Sequence, residues 1–109
     1  MTLRQWPEAE HALRTGLRFQ GDQPAAWARL GFVLRASGKG AEAVEAFERA
    51  LRYQPWKVEW WVEALRVARG LKAPEAQDRL WTTLEARRAD LLEAVEAEVP
   101  RHTRLRSIK

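Results

Sequence analysis

The sequence predicts an all-α protein: antiparallel helical hairpins stacked in a short array and closed by a C-terminal capping helix. Three observations carry that prediction. Apolar residues recur at helical spacing, Gly- or Pro-containing breaks separate helix-length segments, and the pattern repeats after 34 residues. Sliding the chain by 34 places Trp27 on Trp61, Ala43 on Ala9, Phe47 on Leu13 and Tyr53 on Phe19. Stacking follows, because one helical hairpin cannot bury its apolar face alone.

Residues 24–57 form the clearest unit. A first helix is expected from about Pro24 to Ser37, with Pro24 in the first turn and Asp22 as its cap. Trp27, Leu30, Gly31 and Leu34 fall on one face at i, i+3, i+4 and i+7. Ser37-Gly38-Lys39-Gly40 breaks this helix. A second is expected from about Ala41 to Tyr53, with Ala43, Val44, Phe47, Ala50 and Leu51 on one face and Pro55 closing it. Two such helices with a short Gly turn make an antiparallel hairpin.

Residues 58–91 repeat the pattern with departures. Trp61 is in register, Leu65 stands where the first unit has Gly31, and Trp81 and Leu84 match Phe47 and Ala50. Leu65 is bulky enough to push its partner helix away. Residues 1–23 match a second helix only, from Pro7 to about Phe19, so the chain is expected to begin inside a repeat. Either it belongs to a longer protein or another chain supplies the opening helix. Leu13, Leu17 and Phe19 are then expected to lie exposed, which suggests self-association. Residues 92–109 are expected to hold the capping helix and a basic tail. No Gly or Pro interrupts 75–98, so one long helix is possible there. The alternative is a separate helix capped by Asp90 and Glu93, with Leu91, Leu92, Val95 and Val99 covering the last hairpin.

The residues Trp27, Leu30, Gly31, Leu34, Ala43, Phe47, Ala50 and Pro55 resemble the tetratricopeptide repeat signature in its own spacing, with Leu34 where that family commonly has Tyr. The resemblance implies a right-handed superhelical array whose first helices line a concave face. It implies protein–protein interaction and not catalysis. Members that grip a C-terminal carboxylate use Lys and Asn on those helices. The matching positions here hold Ala28, Arg29, Phe32, Glu59 and Glu63, and the two acids would repel such a group.

Composition narrows the function classes. Cysteine is absent, which excludes disulfides and thiolate chemistry. The two histidines, His11 and His102, are far apart, so no metal or cofactor site is expected. No apolar run is long enough to span a bilayer, and no secretion signal is visible, which makes a cytoplasmic location the expectation. The net charge of +4 sits in the last nine residues, where Arg101, Arg104, Arg106 and Lys109 face no acid. Residues 1–100 are balanced. Arginine-rich, asparagine-free composition suits a GC-rich or heat-adapted bacterial source.

The candidate partner-binding residues lie on the first helices: Arg29, Phe32 and Arg35 on one, Glu59, Val62, Glu63, Arg66 and Arg69 on the next. A peptide with an apolar anchor and some acid would suit them. Trp56 and Trp60 fall off the packing pattern and are read as exposed anchors, a role Trp often fills at interfaces. The tail is the second candidate, for nucleic acid or an anionic surface. It has no aromatic residue to stack on a base. Glu45/Arg49, Glu48/Arg52 and Glu75/Arg79 are expected to pair within their own helices at i, i+4.

Overall fold

A computed structural model describes residues 6–100, and these form helices and short turns without strands. The helices are α1 (Trp6–Phe19), α2 (Pro24–Ala36), α3 (Gly40–Tyr53), α4 (Val58–Gly70), α5 (Pro74–Arg88) and α6 (Leu92–Glu98). A single 3-10 turn, Ala89–Leu91, separates the last two. The array is therefore a tetratricopeptide-like stack of helices, longer than it is wide at 48 × 26 × 20 Å.

The helices start where the local chemistry allows. Pro24 and Pro74 occupy first turns, where a missing N–H costs nothing. The expected side-chain caps do not form. Gln23, not Asp22, is the cap residue of α2, and its side chain bonds Gln20 instead. Two tryptophans lock the loops that lead into the first helices. The Trp27 indole donates to the Gly21 carbonyl at 2.7 Å, and Trp61 donates to Pro55 at 2.8 Å. These contacts are 34 residues apart and repeat the same loop design.

The helix exits repeat as well. Gly38 adopts φ 84° and Lys72, 34 residues later, adopts φ 56°. In both, the following amide reaches back five residues, Lys39 to Leu34 at 2.8 Å and Ala73 to Ala68 at 3.2 Å. Both are left-handed C-terminal caps, a conformation that favours glycine.

One apolar core runs through the stack. Leu30, Leu34, Phe47, Leu51, Trp61, Leu65, Leu80 and Leu84 are almost completely buried. At Gly31 a Cβ would lie 2.8 Å from the Phe47 ring, so α2 and α3 close on each other only because that position is bare. Leu65 occupies the corresponding place in α4, and α4 packs less intimately on α5 than α2 does on α3.

Residues 75–98 are not one helix. α5 ends at Arg88, and α6 turns back onto α4 and α5, burying Val95 and Val99 with Leu91 and Leu92 packed against the core. The expected Asp90–Glu93 capping box is absent. Asp90 instead takes both ends of the Arg88 guanidinium, at 2.9 and 2.7 Å, which holds the Asp90 carboxyl below its usual range. The first helix also departs from expectation. Leu17 is buried and Leu13 packs on the core, because α2 covers that face of α1. Phe19 alone of the three is exposed, at 81%.

Candidate functional site

The alternate helices form two rows, each stitched by ion pairs between repeats. In the row of first helices, Arg35 of α2 meets Glu63 of α4 at 2.6 Å, and Arg66 of α4 meets Glu98 of α6 at 3.3 Å. In the row of second helices, Arg14 of α1 meets Glu42 of α3 at 2.6 Å, and Arg79 of α5 grips Glu48 of α3 through two bonds of 2.8 and 3.1 Å. The intrahelical pairs expected from spacing are replaced. Arg79 goes to Glu48 and not to Glu75, and Arg49 stacks on the Trp27 ring at 5.0 Å. Packed neighbouring helices, within a repeat or between repeats, present these alternative partners.

The candidate residues on α2 and α4 share one row, but they are not equally available. Arg29 and Glu59 are exposed. Phe32 is half-buried, edge-on to Phe47 with ring centroids 5.1 Å apart, and the Arg35 guanidinium lies 5.5 Å over its ring. Arg35 and Glu63 hold each other. Arg66 is taken by Glu98, and Arg69 donates to the Pro100 carbonyl at 3.0 Å. Residues 98 and 100, at and just after the end of α6, therefore satisfy the arginines of α4. Val62 is buried at 6% and lines, with Val58, Glu59, Glu63, Arg66 and Glu98, a hollow on this row.

The two off-pattern tryptophans part company. Trp56, in the loop before α4, is 52% exposed. Trp60 is 9% exposed and packed in the core, with Lys57 over its ring at 5.3 Å. It is not the exposed anchor its position suggests, since Trp60 and Trp61 turn inward together at the start of α4 while Glu59 faces out. The tail residues Arg101, Arg104, Arg106 and Lys109 lie outside the described residues.

Sequence reasoning missed a second surface. Between α1 and α3 lies a cleft of about 550 Å³, walled by Leu17, Trp27, Leu30 and Tyr53 and carrying Arg14, Arg18 and Arg49. The signal was present in the 34-residue offset, because a smaller cleft of about 220 Å³ between α3 and α5 is built from the corresponding positions. Among the described residues no group of His, Cys, Asp and Glu is arranged to hold a metal ion, and no helix is long and apolar enough to cross a membrane.

This architecture defines a helical-repeat protein, a class whose members serve mainly as scaffolds for other proteins. Residues 24–55 match the family model of the tetratricopeptide repeat, so the α2–α3 hairpin is a tetratricopeptide repeat. Compared with curated proteins and with solved structures, the chain gives no match.

Proposed function

We propose that the chain is a non-catalytic protein-interaction module that seats a partner peptide along the row of first helices. The observation that supports it most is the pairing on α2 of an exposed Arg29 with a half-buried Phe32, beside an exposed Glu59 on α4. Such a strip offers one apolar contact between charges of both signs. Since Arg35, Arg66 and Arg69 are engaged within the chain, the fitting peptide carries an apolar anchor and a mixed charge pattern. In this reading the protein works in the cytoplasm of a bacterium.

Selection from a displayed random-peptide library on the 109-residue chain tests the reading. Enriched peptides are expected to lose binding to Arg29→Glu and Glu59→Arg, both at exposed positions. Failure to enrich any peptide, or enrichment indifferent to both changes, would overturn it.

A second reading is favoured by the charge of the tail. Arg101, Arg104, Arg106 and Lys109 would bind nucleic acid or an anionic surface, with steep salt dependence and loss on deletion after Pro100. Self-association through the α1 end is a narrower possibility, resting on the exposed Phe19 ring.

A further inference from the structure

The two clefts on the row of second helices are built largely from corresponding positions, and one of them is narrowed by its own side chains. In the α3–α5 cleft, Arg87 lays its guanidinium on the end of α3 and donates to the carbonyls of Leu51 and Arg52 at 3.4 and 3.2 Å. The Arg79–Glu48 bond spans the same cleft and ties its two walls together. In the α1–α3 cleft, 34 residues earlier, Tyr53 stands where Arg87 is and Arg14 stands where Glu48 is. Arg14 pairs with Glu10 and, across to α3, with Glu42, which lies outside the lining of the cleft. The cleft stays open and is more than twice the size of its twin.

The lining sets the chemistry of an occupant. Three guanidiniums line this cleft, and the carboxylates of Glu42 and Glu45 line the adjoining hollow that shares Arg14 and Arg49 with it. Arg14 is neutralised by its two glutamates. Arg18 and Arg49 are exposed, and the Arg49 guanidinium lies over the Trp27 ring at 5.0 Å from its centroid. A rigid guanidinium presents a preformed fork for a carboxylate. Behind these groups lie Leu17, Leu30 and the exposed Tyr53 ring, an apolar floor for an aliphatic side chain.

We infer that the α1–α3 cleft binds an acidic segment of a partner polypeptide, with carboxylates on Arg18 and Arg49 and an aliphatic side chain against Leu17, Trp27 and Leu30. This site is on the opposite row from Arg29 and Glu59, and it stands or falls independently of the reading proposed for that row.

The test titrates the intact chain with a short end-blocked peptide of glutamate and leucine. Affinity is read by calorimetry and location by the Trp27 indole N–H resonance. A glutamine–leucine peptide and a single-stranded oligonucleotide are run in parallel. The expected result is binding of the acidic peptide that weakens with salt and shifts the Trp27 resonance. Arg18→Gln and Arg49→Gln should each weaken it about tenfold, the usual cost of one charge-assisted bond, and Arg29→Gln should not. Arg49→Gln removes the group stacked on Trp27. If it perturbs folding, Arg18→Gln carries the test alone. The inference is overturned if the acidic peptide fails to bind at millimolar concentration. It is equally overturned if the glutamine peptide binds as well, if Arg29→Gln costs as much as Arg18→Gln, or if the oligonucleotide binds more tightly through the same arginines.

Discussion

Gly31 of α2 faces the Phe47 ring of α3 with no room for a methyl group between them: an added Cβ would come within 2.8 Å of two ring atoms. Phe47 is completely buried and cannot swing away. Gly31→Ala should therefore destabilise the protein by about 1–3 kcal/mol, even though alanine is the better helix former. Gly16 is also helical but has nothing within 4 Å of a built Cβ. Gly16→Ala should stabilise by about 0.5–1 kcal/mol. Urea unfolding of the two variants checks the contrast in sign. A Gly31→Ala protein as stable as the parent would mean that the α2–α3 contact is looser than described.

Lys72 takes a left-handed conformation that Gly38 takes in the preceding hairpin. A lysine there is strained by its Cβ. Lys72→Gly should raise stability by about 0.5–1 kcal/mol, and Gly38→Ala should lower it by about 1 kcal/mol. Thermal melts of both variants read the effect directly.

Trp60 and Trp56 sit four residues apart on opposite sides of the packing boundary. Trp60→Ala should cost about 3–5 kcal/mol through the cavity it leaves. Trp56→Ala should change stability by less than about 0.5 kcal/mol. If the exposed ring belongs to a binding surface, Trp56→Ala shows its effect in partner affinity and leaves the melting curve in place.

Glu10 accepts hydrogen bonds from Arg14 at 2.8 Å and Lys39 at 2.9 Å, and these hold its carboxyl below its ordinary value of 4.5. A carboxylate whose pKa is depressed by folding contributes stability above the unfolded value. That contribution is lost as pH falls below about 4.5 and through the lowered folded value. Glu10→Gln should therefore reduce stability at neutral pH and flatten its acid limb. Denaturant midpoints measured from neutral pH downward, for parent and variant, test the sign. Parallel curves would show that the Glu10 cluster is electrostatically idle.

The α2–α3 hairpin was legible because its determinants are local. Pro24, the Trp27–Leu34 stripe, Gly38 and the Ala43–Leu51 stripe act within a few turns of themselves. The fate of α6 was partly legible. Leu91, Leu92, Val95 and Val99 have helical spacing, but the choice of Arg88 as partner for Asp90 depends on a 3-10 turn that no periodicity announces. The candidate site was less legible still. Arg66 and Arg69 look free in sequence, and only the return of α6 shows Glu98 and Pro100 beside them. Trp60 was misplaced because exposure on α4 is decided by what packs on it. The ion pairs went astray for a related reason. Spacing within one helix says nothing about the carboxylate that a stacked neighbour presents, as Arg79 and Glu48 illustrate.

The packed helices are all neighbours or near neighbours along the chain. Assembly therefore needs no long loop to close before contacts reward it, and chains of this kind acquire their shape quickly. As the polypeptide emerges during synthesis, the tight α2–α3 pair can form while α5 and α6 are still unmade. The finished hairpin then offers a ready surface on which α4 docks. Among the described helices the stack can grow from one end, with α6 docking on α4 and α5 after both are formed.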